Sequence, residues 1–333
     1  MKILVINWRD IKNPEAGGAE IHIDEILKRK PENWNIDFIC ASFKGSVPNE
    51  DYNGYKIIRI PNNSLFNFTF KNYWNKELKK RNYDLIIDDI SKIPLATPQF
   101  IKNIPVLSIL HHIHGKSLFS QLPYPFAFYV YHMEKYFLRA YQNTPLIVVS
   151  DSTKNELSNL YQYKQLSVSH NGIDFNQLNR GYDNSIKKPP HLLYFGRLKK
   201  YKRIDHIIEA LKIIQKTIPE AILNIAGKGD DEDRLKEKCK FLNLTTSVNF
   251  LGFISEDQKI DLLKKSALYV IPSEKEGWGI SVIESNAAGL PSIGYNVEGL
   301  KDSIKHEYSG LLIENGNIQK LADGIINLLT DEN

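Results

Sequence analysis

HLLYFGRLKKYKRIDHIIEALKIIQKTIPEAILNIA, residues 191–226, holds two short apolar runs with a helical pattern between them. Leu192–Phe195 reads as a strand buried on both faces, as in a parallel sheet. Ile204, Ile207, Ile208, Leu211 and Ile214 then fall at i, i+3, i+4, i+7 and i+10, the apolar stripe of an amphipathic helix. Pro219 stops that pattern, and Ala221–Ala226 reads as the next strand. Strand, helix and strand in this order predict a right-handed βαβ unit.

The scheme extends both ways. Downstream come a charged helix, a strand at Val248–Leu251, a helix around Lys259–Leu263, a strand at Leu268–Ile271 and a helix near Ser281–Ala288. Upstream, apolar runs at Ile3–Trp8, Ile36–Ala41, Ile57–Ile60, Leu85–Ile87, Val106–Leu110 and Leu146–Val149 read as strands. Ala19, Ile23, Ile26 and Leu27 have helical spacing, and the aromatic segment Leu118–Tyr141 has it less cleanly. The expected fold is α/β, with two Rossmann-like doubly wound parallel sheets. A length of 333 residues agrees with two domains at about 150 residues each. The boundary is expected in the polar stretch RGYDNSIKKPP, Arg180–Pro190, where two prolines disfavour helix. That makes residues 1–180 one domain, 181–190 a linker and 191–333 the other. Ligands of such sheets sit beyond the carboxyl ends of the strands, so the expected site is the cleft between the domains.

Composition narrows the function classes. A net charge of +4 is too small to argue for nucleic acid, while an anionic membrane surface stays a candidate partner. Cys40 and Cys239 lie far apart with no CxxC spacing, which indicates neither a disulfide framework nor a zinc site and fits a reducing compartment. The apolar run Ile3–Ile6 is too short for a signal peptide. No stretch approaches the roughly 18 to 20 apolar residues of a membrane helix. A cytoplasmic protein is expected, with the inner face of the membrane as a place of reversible attachment.

Four segments carry chemistry. In Glu276-Gly277-Trp278-Gly279-Ile280-Ser281-Val282-Ile283-Glu284, two glycines after a strand allow close approach of backbone to ligand. The helix expected to begin near Ile280 offers a positive N-terminus suited to phosphate. Glu276 and Glu284 suit sugar and ribose hydroxyls; helix capping and a solvated face are the plainer reading for two glutamates alone. Gly196-Arg197-Leu198-Lys199-Lys200-Tyr201-Lys202 joins a strand to a helix and puts Arg197 and Lys202 at the carboxyl edge of the sheet. A cation pair there can neutralise a diphosphate without a metal ion, or simply form a solvated basic turn. Gly17-Gly18-Ala19-Glu20 offers N–H groups to an anion or a sugar, or only serves a turn. Neither it nor Gly227-Lys228-Gly229 has the GxGxxG pattern of a dinucleotide-binding dehydrogenase. His111-His112-Ile113-His114-Gly115 follows a strand. With no carboxylate at fixed spacing, hydrogen bonding is favoured there over metal binding.

Together these residues resemble the retaining glycosyltransferase family 4, of GT-B architecture, in a microbial branch. Glu276 and Glu284 match its E-x7-E motif, Gly196–Lys202 its G-R-L-x-x-x-K segment, and Asn171-Gly172-Ile173-Asp174 its N-G-[VI]-D. The resemblance implies that residues 1–180 form the acceptor-side domain and 191–333 the nucleotide-sugar-binding domain. It implies that Glu276 contacts the donor sugar and Glu284 the ribose, and that Arg197 and Lys202 bind the diphosphate. It places Gly17 and Gly18 over the donor, and His111, or else His112, near the reacting sugar. Gly196, Gly277, Trp278, Gly279 and Ile280 complete the expected donor site. No metal or other cofactor is implied, so Asp88-Asp89 reads as a strand end and Asp230-Asp231 as a solvated loop. Family chains usually continue past the point matching Leu328-Leu329 with a crossover helix, which is expected to be absent here.

The acceptor is expected to be a glycan or a lipid-linked glycan. Leu65–Lys80 and Leu118–Tyr141 combine aromatics with lysines, which suits either an interfacial surface or a helix packed in the core. Two rivals remain: another GT-B reaction such as epimerisation or phosphorolysis, and a sugar-nucleotide binding protein without turnover.

Overall fold

The computed structural model of the chain describes residues 1–61, 65–179 and 188–330. The chain divides into two compact units, Met1–Asn171 and Gly172–Asn333. Ile173 and Leu178 pack into the second unit's core, which draws the segment before Arg180 into that unit. Of the expected linker, residues 181–187 lie outside the described residues.

Among the described residues the first unit has eight strands: β1 (Lys2–Ile6), β2 (Asn35–Ala41), β3 (Asn49–Tyr52), β4 (Tyr55–Ile60), β5 (Leu85–Asp89), β6 (Val106–Leu110), β7 (Leu146–Val148) and β8 (Leu166–Val168). Its helices are α1 (Gly18–Lys28), α2 (Phe66–Tyr73), α3 (Leu118–Gln121), α4 (Tyr124–Leu138) and α5 (Asp151–Leu160). The sheet order is β3-β4-β2-β1-β5-β6-β7-β8, so the winding reverses between β1 and β5. Strands β1 to β8 pair in parallel except β3, which is antiparallel to β4. Side chains alternate along β1: Leu4 and Ile6 join Phe66, Phe70 and Trp74 on one face, while Ile3 and Val5 join Ile23 and Leu27 on the other. This double burial is why β1 reads as an unbroken apolar run.

Three features of this unit differ from the sequence reading. Strand β3 is polar, NEDY, and carries no apolar signal; Asn53 and Gly54, both at positive φ, turn it back onto β4. Leu118–Tyr141 is not one helix, because Leu122 is extended ahead of Pro123 and separates α3 from α4. The aromatic segment Leu65–Lys80 takes the core alternative, with Phe66, Phe70, Trp74 and Leu78 buried.

Among the described residues the second unit has six parallel strands: β9 (His191–Phe195), β10 (Ile222–Ala226), β11 (Val248–Gly252), β12 (Leu268–Ile271), β13 (Ser292–Tyr295) and β14 (Gly310–Ile313). Its helices are α6 (Phe175–Leu178), α7 (Ile204–Ile214), α8 (Glu232–Phe241), α9 (Glu256–Lys265), α10 (Ile280–Ala287), α11 (Leu300–Ser303) and α12 (Ile318–Thr330). The order β11-β10-β9-β12-β13-β14 reverses between β9 and β12. All five apolar positions of the α7 stripe are fully buried, as their spacing requires.

Candidate active site

In an open α/β sheet a ligand sits where the strand order reverses, at the carboxyl ends. In the second unit that point is flanked by the segments after β9 and β12. Lys202 leaves the turn after β9 and Glu276 the loop after β12. Their side chains meet, Lys202 Nζ to Glu276 Oε1 at 2.5 Å, each 14% exposed. Burial opposes the Lys202 charge, but Glu276 outweighs it and holds the ammonium above its ordinary range. Half-buried Arg197 lies on the same turn; its Nη2 donates to the Tyr201 hydroxyl at 3.4 Å, and Tyr194 donates to its carbonyl at 3.0 Å. Gly196 precedes it at φ +148.

The loop carrying Glu276 is held closely. The Glu276 N–H donates to Glu298 O at 3.2 Å. A Cβ on Gly299, at φ +82, would stand 2.3 Å from the Glu276 carbonyl oxygen, so that position requires glycine. Gly277 and Trp278 are half-buried and lead to Gly279, which caps α10 at φ +84. Helix α10 begins at Ile280, as expected. Glu284 lies one turn further and does not join Lys202: its Oε1 accepts from Lys259 Nζ of α9 at 2.7 Å. Burial raises the Glu284 carboxyl, and Lys259 works against that rise.

In the first unit the reversal lies between β1 and β5, and a second polar cluster forms there. Asn7 Nδ2 donates to Asp89 Oδ2 at 2.6 Å, and His111 Nε2 lies 2.9 Å from Asp89 Oδ1. Burial works against a charged His111, yet Asp89 and then Glu20 hold its pKa above the ordinary value. The His22 ring stands edge-on to it, with centroids 5.3 Å apart. Burial first, then His111, lowers His22 to about 4. The histidine loop is tied down by Glu134 of α4, which accepts from the His114 and Gly115 N–H groups at 2.8 and 2.9 Å. The His112 ring packs on that of His114, with centroids 4.2 Å apart.

Other expectations need correction or extension. Gly17 and Gly18 do open α1, but the Gly17 N–H is taken by the Glu20 carboxylate at 2.7 Å, so an anion there would compete with Glu20. Asp88-Asp89 does end a strand. Asp231 is not solvated: it is buried and held by Arg234 at 2.6 and 2.7 Å. Among the described residues no group of three or more His, Cys, Asp or Glu side chains is arranged to hold a metal ion. The sequence reading missed the partners Asp89, Asn7 and Lys259, which share no short motif with the residues they hold.

The family profile described as Glycosyltransferase Family 4 matches residues 16–177, and that described as Glycosyl transferases group 1 matches residues 177–333. The chain belongs to glycosyltransferase family 4. The glycosyltransferase is 28% identical to an uncharacterized glycosyltransferase of Methanocaldococcus jannaschii, over 99% of this chain and 90% of that one. Its structure is similar to sucrose-phosphate synthase from Thermosynechococcus elongatus, with TM-score 0.78 and 22% identity, covering 99% of this chain and 90% of that one. It is also similar to Anabaena HepE, solved with UDP and glucose, with TM-score 0.75 and 20% identity over the same shares. These likenesses establish the GT-B fold.

Proposed function

We propose that the glycosyltransferase moves a hexose from a nucleoside-diphosphate sugar to a glycan or lipid-linked acceptor, with retention and without a bound metal ion. The observation that carries this reading is the contact of Lys202 with Glu276 at the strand-order reversal of the second unit. It joins a cation suited to a diphosphate to a carboxylate suited to sugar hydroxyls.

Breaking the bond from sugar to diphosphate leaves positive charge on the anomeric carbon and negative charge on the departing oxygen. Arg197 and Lys202 stabilise the second more in the transition state than in the ground state. Glu276 orients the sugar and keeps Lys202 charged and fixed. Glu284 holds the ribose. The family resemblance assigns His111 to the reacting sugar and Gly17 and Gly18 to the donor; Asp89 fixes the His111 ring and its charge. The leaving phosphate itself deprotonates the acceptor on the same face, which gives retention. A binding protein without turnover, or an epimerase, would share the donor contacts but make no new glycosidic bond.

The test is kinetic. Lys202→Ala, Arg197→Ala and Glu276→Ala lower kcat, by about 10²–10³ for each lost transition-state contact. Glu284→Ala acts chiefly on donor KM. Wild-type turnover in both Lys202→Ala and Arg197→Ala would place the site elsewhere.

A surface on α4 favours attachment to an anionic membrane as a further part of the reading. Tyr124, Phe126, Phe128, Tyr129 and Tyr136 are exposed on this helix, while its one acidic residue, Glu134, is buried. Aromatic side chains beside Lys135 and Arg139, with no exposed carboxylate on the helix, suit a negatively charged interface. Among the described residues no helix is long and apolar enough to cross a membrane.

A further inference from the structure

Glu284 is a half-buried carboxylate with an unevenly used pair of oxygens. Its side chain is 17% exposed, and Oε1 accepts from Lys259 Nζ at 2.7 Å. Among the described residues none donates a hydrogen bond to Oε2. Lys259 comes from a different element, α9, and is only 12% exposed. Its ammonium also pairs with Glu256 at 2.8 Å and lies 6.0 Å from the centroid of the Phe195 ring, at the end of β9. Glu256 is largely exposed, so its pull on Lys259 is screened by solvent. The closer constraint on the ammonium is therefore Glu284.

We propose that Lys259 is a positioning residue of the donor site: it fixes one oxygen of Glu284 and leaves the rest of the carboxylate to accept from the two hydroxyls of a nucleotide ribose. This rests on the reading that Glu284 holds the ribose. A hydroxyl donates more strongly to an ionised carboxylate than to a neutral carboxyl group. Burial alone favours the neutral form of Glu284, and the ammonium of Lys259 opposes it. Removing that ammonium leaves the half-buried carboxylate without its cation, so it takes up a proton more readily and loses its fixed orientation. Lys259 thus acts on ribose recognition through Glu284, without touching the nucleotide.

The experiment measures binding of UDP, GDP and ADP and their 2′-deoxy counterparts by calorimetry, using the tightest of the three as probe. Lys259→Met is expected to weaken the ribonucleotide by about tenfold or more, the size of one lost hydrogen bond to a charged group. Its effect on the 2′-deoxynucleotide is expected to be much smaller. The loss grows as pH falls from 8 to 6, more steeply than in the wild type, and Lys259→Arg restores most of the affinity. In a Glu284→Gln background, Lys259→Met adds little. If Glu284→Gln weakens the ribonucleotide but Lys259→Met does not, or if Lys259→Met weakens both nucleotides equally, the role of Lys259 is overturned while the ribose reading stands. If Glu284→Gln leaves affinity unchanged, or none of the three diphosphates binds, the ribose reading falls and this inference falls with it.

Discussion

At the residue scale, the candidate site residues stand in pairs drawn from separate segments. Lys202 with Glu276, Lys259 with Glu284 and His111 with Asp89 each join a cation or an imidazole to a carboxylate across a long sequence separation. The motif members Glu276, Glu284, Arg197 and Lys202 could be singled out as candidates because glycines and neighbouring strands frame them. Their partners were not, since nothing in a linear sequence says which side chains two loops bring together. Ionisation adds a testable consequence. His22 is held to about 4, so across pH 6.5 to 4 the unfolded chain binds a proton there that the folded chain refuses. Its contribution to stability therefore falls as pH drops through that window. His111, held above its ordinary value, contributes the opposite way: its share is full below pH 6.5 and is lost as pH rises through the folded value. Urea midpoints measured from pH 6.5 down to 4.5 are expected to fall less steeply in His22→Asn than in the wild type. Equal slopes would show that His22 is not kept neutral by its surroundings.

At the element scale, the stripe of α7 was read, whereas α12, whose face buries Leu321, Ala322 and Ile325, was not, nor was the break that Pro123 makes between α3 and α4. The spacing of α7 predicted its buried face residue by residue. Helix α4 has aromatics around much of its circumference, and Pro123 separates it from α3, so its period was blurred. Edge strand β3 has a single aromatic, Tyr52, which packs on the core beside β4, and its other side chains are polar, so it left no apolar run. The exposed aromatics of α4 bear on attachment. The protein is expected to co-sediment with phosphatidylglycerol vesicles at low salt and to be released as salt rises, because screening weakens its cationic share. Phe126→Ser combined with Tyr124→Ser is expected to reduce binding several-fold without changing circular dichroism. Equal sedimentation of wild type and double variant would remove α4 as the contact.

At the scale of the whole molecule, both units use one device: a doubly wound sheet whose strand order reverses, with charged side chains gathered at the carboxyl ends beside the reversal. The alternation of strands and helices made the fold class legible, because parallel strands need crossover connections and leave long-range periodic marks. In the proposed mechanism the fixed cations of the second unit, Arg197 and Lys202, neutralise the leaving diphosphate during transfer. The most direct measurement follows wild-type transfer from a nucleotide sugar by NMR in excess EDTA, reading both the rate and the anomer of the product. An undiminished rate and a retained anomer are expected. Loss of turnover that manganese or magnesium restores, or an inverted anomer, would contradict the proposed mechanism.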